Sequence, residues 1–223
     1  MKPLSFLLPP LAAAALAAAS PAAFAIGVTD ATGDYVPGFA GSKAGDLDVA
    51  GAFVTYNVAT DTFVFEGTMN ADIPTASKDL YVWGVDRGQG TARFAANGID
   101  GVLFDSVVVF NADGSGSVNQ IVGGASFTLP AGTAKVIGST IIGEISGSML
   151  PSLGFDKTAY TWNLWPRDGT LASGFTQISD FAPDNSNSPV TVIGAVPEPG
   201  TWAMLGVGLG LVGVFRRRRI ADR

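Results

Sequence analysis

Phe63, Phe65 and Met69 fall on one side of the stretch TFVFEGTMN, with Thr62, Glu66, Thr68 and Asn70 mostly on the other. That two-residue period is the mark of a strand with one face in a core. Just upstream, GAFVTYNVATDTF has the shape of a hairpin turning over Val58 to Asp61. DLYVWGVD (79–86) and GVLFDSVVVFN (101–111) are apolar at consecutive positions, which predicts strands covered on both faces. NADGSGS (111–117) turns into SVNQIV, and Gly123-Gly124 turns into ASFTLP. Gly138-Ser139 suits a two-residue hairpin within AKVIGSTIIGEI (134–145), and YTWNLWPRD closes the series before Asp168-Gly169. Between Ile26 and Val196 no helical stripe of four turns occurs. The pattern predicts an all-β domain over residues 26–195, an antiparallel β-sandwich or jelly roll. Trp162 and Trp165 must face opposite sides of their strand. With Trp83, Tyr81 and Tyr160 they form the aromatic set, which reads first as core and otherwise as a stacking surface for sugar rings.

The two ends follow a different pattern. Met1-Lys2 precedes an apolar run from Leu4 to Ala19, and Ala23-Phe24-Ala25 has the small-x-small form that signal peptidase requires. Residues 1–25 are therefore expected to be a signal peptide, cut between Ala25 and Ile26. Near the other end, Thr201 to Phe215 is uncharged and carries Gly206, Gly208, Gly210 and Gly213. As a helix it would reach about 22 Å, against a hydrocarbon core of about 30 Å. It predicts a short transmembrane helix over 201–215, inserted transiently rather than as a lasting anchor. Arg216, Arg217, Arg218 and Arg219 would hold its end in the cytoplasm, leaving the sandwich on the far side to which the signal peptide delivers it. Pro197-Glu198-Pro199, just outside that helix, keeps the backbone extended and open to a protease.

Charge changes the picture of the middle. Residues 26–195 hold fifteen aspartates and two glutamates against four lysines and three arginines, a net charge of −10 that the whole-chain value of −6 conceals. A domain this acidic repels phosphate backbones, so nucleic acid is excluded as a partner. With no His and no Cys in the chain, the Ser-His-Asp triad, cysteine nucleophiles, zinc sites and haem ligation are excluded as well. An exported chain without disulfides must be held by its core alone.

Glu66 and Glu144 lie inside alternating strands, where a solvent-facing carboxylate is expected, and Asp86 beside Arg87 reads as an ion pair; Asp105 also sits in apolar surroundings. The sequence thus assigns no catalytic residue and no cofactor, and a non-enzyme is expected. For metals, Asn111, Asp113 and Ser115 place oxygens at alternate positions before Gly116, like the start of an EF-hand loop. The distal glutamate is missing, since the corresponding position is Val122, so a turn around Asp113-Gly114 is the favoured reading. A second oxygen-rich loop, Asp180 to Ser188, reads either as an ion site or as a solvated loop.

Pro-Glu-Pro, a short Gly- and Leu-rich apolar segment and an arginine cluster, in that order over residues 196–223, resemble the PEP-CTERM sorting signal of Gram-negative bacteria. The resemblance implies cutting at or near the motif by exosortase, a membrane-embedded protease, and then residence at the cell surface or in the extracellular matrix. It also implies a producer of exopolysaccharide. The core resembles the exported sandwiches of family 9 carbohydrate-binding modules in LYVWGVDRGQGTARF, SMLPSLGFDKTAYTWNLWPRD and ISDFAPDNS. A non-enzymatic surface or matrix component is the leading expectation, and a module binding the cell's own exopolysaccharide the alternative. Exposed, coplanar aromatic rings would favour the second; buried tryptophans favour the first.

Overall fold

The computed structural model describes residues 27–194. The expected signal peptide with its Ala25–Ile26 cut, Pro197-Glu198-Pro199, the 201–215 segment and Arg216–Arg219 all lie outside the described residues.

The predicted hairpin is present as strands β2 (Val49–Asn57) and β3 (Thr62–Met69), joined over 58–61. Phe63, Phe65 and Met69 are buried along one face of β3, as their spacing requires. Short strand β1 (Val28–Thr29) pairs with β2 near Ala52. The second sheet begins with β4 (Leu80–Asp86), β5 (Ser106–Asn111), β6 (Gly116–Gln120) and β7 (Ser126–Leu129), an antiparallel meander. The chain then returns to the first sheet as β8 (Ala134–Ile137) and β9 (Thr140–Ser146), and Gly138-Ser139 forms the expected two-residue turn, with Gly138 at φ 60°. Strands β10 (Thr161–Arg167) and β11 (Ser188–Pro189) complete the second sheet, and β12 (Thr191–Ile193) completes the first.

The result is an all-β sandwich of two six-stranded sheets. One runs β1-β2-β3-β9-β8 with β12 also on β2, and the other β11-β10-β4-β5-β6-β7. All strand pairs are antiparallel except β12 with β2, which is parallel.

Between the sheets lies an aromatic core. Phe65 meets Trp83 at 5.8 Å and Phe110 at 6.2 Å, edge to face, while Phe63 stacks on Tyr160 at 5.8 Å. The Phe110 ring lies directly over Gly143, where a Cβ would clash, so glycine is needed for the two sheets to approach there.

A second hydrophobic cluster covers the outer face of the second sheet, formed by Val82, Val102, Phe104, Trp165, Ile178 and Phe181. This is why β4 is apolar on both faces. It also corrects the strand expected over 101–111, because pairing in β5 begins only at Ser106. Residues 101–105 leave the sheet and fold across it. Their backbone is satisfied from far along the chain: Gly101 N–H donates to Asn185 Oδ1 at 2.7 Å, and Leu103 N–H to Asn187 Oδ1 at 3.1 Å. Trp162 points into the central core and Trp165 into the outer cluster, on opposite faces as expected.

Candidate functional site

Asn111, Asp113 and Ser115 form the turn between β5 and β6. Asp113 Oδ1 accepts from Ser115 N–H at 2.9 Å and from its hydroxyl at 2.6 Å, and Asn111 Nδ2 donates to Ser115 Oγ at 2.7 Å. Asp113 Oδ1 and Ser115 Oγ are thus engaged within the turn itself, and the bonds from Ser115 hold the Asp113 carboxyl below the usual range. In the Asp180–Ser188 loop, Asn185 and Asn187 staple the 101–103 segment.

The ion pair expected between Asp86 and Arg87 is made elsewhere. Arg87 Nε bonds Asp105 Oδ1 at 2.7 Å, and both side chains are fully buried. The guanidinium also donates to the carbonyls of Pro151 and Val122, while Asp105 Oδ2 accepts from the N–H groups of Arg87 and Gln89, each at 3.0 Å. Asp86 instead caps the following turn, accepting from Gly88 and Gly90 N–H at 2.8 Å. Successive strand residues diverge, so adjacency in sequence did not decide the partner. Glu66 and Glu144 stand on the outer face of the first sheet, Glu66 partly buried and Glu144 exposed.

The aromatic set is internal. Trp83 and Trp162 are 0% exposed and Trp165 2%, and Tyr81 and Tyr160 are equally covered.

Five aspartates that sequence reading did not connect come together beside β1 and β2. Carboxylate oxygens of Asp34, Asp48 and Asp180 lie within 4.8 Å of one another, as do those of Asp30, Asp34 and Asp184. Two of the set carry structural bonds: Asp180 Oδ2 accepts from Val49 N–H at 2.9 Å, and Asp48 accepts from Gly33 N–H and Asn70 Nδ2. These oxygens are of the hard type that a divalent cation takes. Burial, then the neighbouring charges of Asp180, Asp184 and Asp34, push Asp30 up to about 7. Burial, with the charges of Asp34 and Asp48, pushes Asp180 up to about 7 despite its backbone bonds.

The folded state therefore keeps protons that the unfolded chain releases near pH 4. This contribution to stability is full below that pH and is lost as pH rises through about 7. The melting temperature should fall between pH 5 and pH 8. Asp30→Asn removes one of the crowded charges and should raise the midpoint at pH 8 by about 3 °C, with little change at pH 5. Thermal unfolding followed by near-ultraviolet circular dichroism checks this; an equal effect at both pH values would contradict it.

Outside the second sheet, under the 93–104 segment, lies a hollow of about 390 Å³. Val82, Val107 and Val109 floor it, and Phe94, Phe104 and Trp165 form its walls. Arg93 and Arg167 also line it, with the Arg93 guanidinium 5.8 Å from the centre of the Phe104 ring. Arg167 donates a bond to Gly174 O at 3.0 Å, while its Nε is buried with no hydrogen-bond partner among the described residues. Consecutive apolar residues in 79–86 and 101–111 were the sequence signals for a covered outer face; nothing local announced the two arginines.

Residues 195–219 match the family model of the PEP-CTERM protein-sorting motif. The match begins where the sheet ends, since Ile193 of β12 accepts the last pairing bond, from Val58 N–H at 3.1 Å. The motif marks an exported protein that is anchored transiently in the membrane and processed by an exosortase. No curated protein and no solved structure matches the chain, so the likeness of the core to family 9 carbohydrate-binding modules finds no support there.

Proposed function

Starting from the sorting motif at residues 195–219, we propose that the β-sandwich is the delivered cargo, a non-enzymatic component of the cell surface or extracellular matrix. Signal peptidase removes residues 1–25, the 201–215 segment holds the exported chain in the inner membrane, and exosortase releases it by cutting at or near Pro197-Glu198-Pro199. The observation that carries the structural role is the burial of Trp83, Trp162 and Trp165. Rings committed to two hydrophobic clusters stabilise the fold and present no face to a pyranose. Two buried carboxylates point the same way, because Asp105 is occupied by an arginine and backbone N–H groups and Asp180 by a backbone N–H group. The alternative, a module for the cell's own exopolysaccharide, would need coplanar exposed rings that this aromatic set does not supply.

The arginine cluster acts by fixing orientation, with the end of the helix in the cytoplasm and the motif outside. Replacing Arg216 to Arg219 with serine should weaken retention, so that uncut chain appears outside the inner membrane. Fractionation and blotting against the sandwich test this. Processing and release identical to wild type would remove the sorting role from the cluster.

A further inference from the structure

We propose that the hollow on the outer face of the second sheet binds an amphipathic organic anion, a carboxylate on an apolar ring-bearing body. This inference goes beyond the surface-component reading and does not depend on how the chain is processed. It rests first on where the cations are. The described residues carry three arginines, and Arg87 is consumed by Asp105. The other two, Arg93 and Arg167, both line this one hollow, and neither makes a salt bridge among the described residues. In a domain of net charge −10, two unneutralised guanidiniums at one cavity make a local reversal of sign.

The second support is an unmet donor. Among the described residues Arg167 Nε is buried without an acceptor, and burial disfavours the charged form of that side chain. A carboxylate entering the hollow would supply the counter-charge that this partly desolvated guanidinium lacks, in a charge-assisted bond. The guanidinium fork suits a planar carboxylate better than a point charge would.

The walls define the rest of the ligand. Valines and aromatic rings make up most of the surface, and the hollow of about 390 Å³ lies within the range of small-molecule sites. Against such walls the hydroxyls of a sugar would lose water without gaining partners. An apolar ring loses nothing of that kind and can pack on Phe94, Val107 and Val109. An aryl-alkyl carboxylate fits these terms, and a sugar acid does not.

The test is calorimetric titration of the full-length chain in nonionic detergent with 4-phenylbutyrate, corrected for partition into empty micelles. Saturable binding at one site is expected, with the neutral alcohol 4-phenylbutan-1-ol weaker by about tenfold. Arg167→Gln and Arg93→Gln should each weaken phenylbutyrate by about tenfold. Arg93 is exposed, so its variant keeps the fold even if Arg167→Gln does not; thermal unfolding of each variant shows which is the case. Absence of saturable binding would overturn the proposal. So would equal affinity for acid and alcohol, wild-type binding by a folded Arg93→Gln, or tighter binding of glucuronate than of phenylbutyrate.

Discussion

Asp105→Ala should cost the sandwich most of its stability. Arg87 would be left fully buried with no counter-charge, and the N–H groups of Arg87 and Gln89 would lose their acceptor. Removing one partner of a buried pair costs about 3–5 kcal/mol, and each orphaned buried donor adds about 1 kcal/mol or more. Domains of this kind are stable by about 5–15 kcal/mol, so the loss is a large fraction of the whole. At roughly 2–4 °C per kcal/mol for a chain of this size, the midpoint should drop by about 10–20 °C. Asp86→Ala is the informative control, because among the described residues Asp86 makes the two turn bonds to Gly88 and Gly90 and no ion pair, and it should cost about 1–2 kcal/mol. Replacing the pair together, with Arg87→Leu added to Asp105→Ala, removes the stranded charge and should recover part of the loss. Thermal and urea unfolding of the three variants decide it. A midpoint for Asp105→Ala within a few degrees of the Asp86→Ala value would show that the buried pair does not hold the outer layer.

The elements legible in the sequence were those whose pattern is local. Alternation in β3, the 58–61 turn and the Gly138-Ser139 hairpin depend on residues next to one another, and all three are in the structure. What escaped depends on contacts between distant segments. Residues 101–105 look like the start of a strand, but side chains of Asn185 and Asn187 bind their backbone and Asp105 turns to Arg87. Asp180 and Asp184 were legible only as part of an oxygen-rich loop, and it is the pairing of β1 with β2 and the bond from Val49 to Asp180 that bring them to Asp30, Asp34 and Asp48. The excess of Asp over Glu was the visible trace of that cluster, and it fitted turn preference equally well. Burial of Trp83, Trp162 and Trp165 was open from sequence for the same reason: the period placed Trp162 and Trp165 on opposite faces but could not show that both faces are covered.

Glu198→Ala should abolish release of the protein. The substitution keeps both flanking prolines and hence the extended backbone, and removes only the carboxylate offered to the protease. The match to the sorting motif includes this position, while the folded sheet ends at Ile193, so the sandwich should fold and be exported as before. The uncut chain should accumulate in the inner membrane with its sandwich accessible from outside, and its amount in the released fraction should fall by about tenfold or more, the scale of losing a charge-assisted contact in a protease pocket. A released fraction equal to wild type would show that Glu198 has no part in recognition.

Intact-mass analysis of the wild-type protein released from the producing cell tests the central claim most directly. The account predicts a single species that begins at Ile26, ends at or near Pro197-Glu198-Pro199 and lacks Arg216 to Arg219; a released species still carrying the arginine cluster would contradict it.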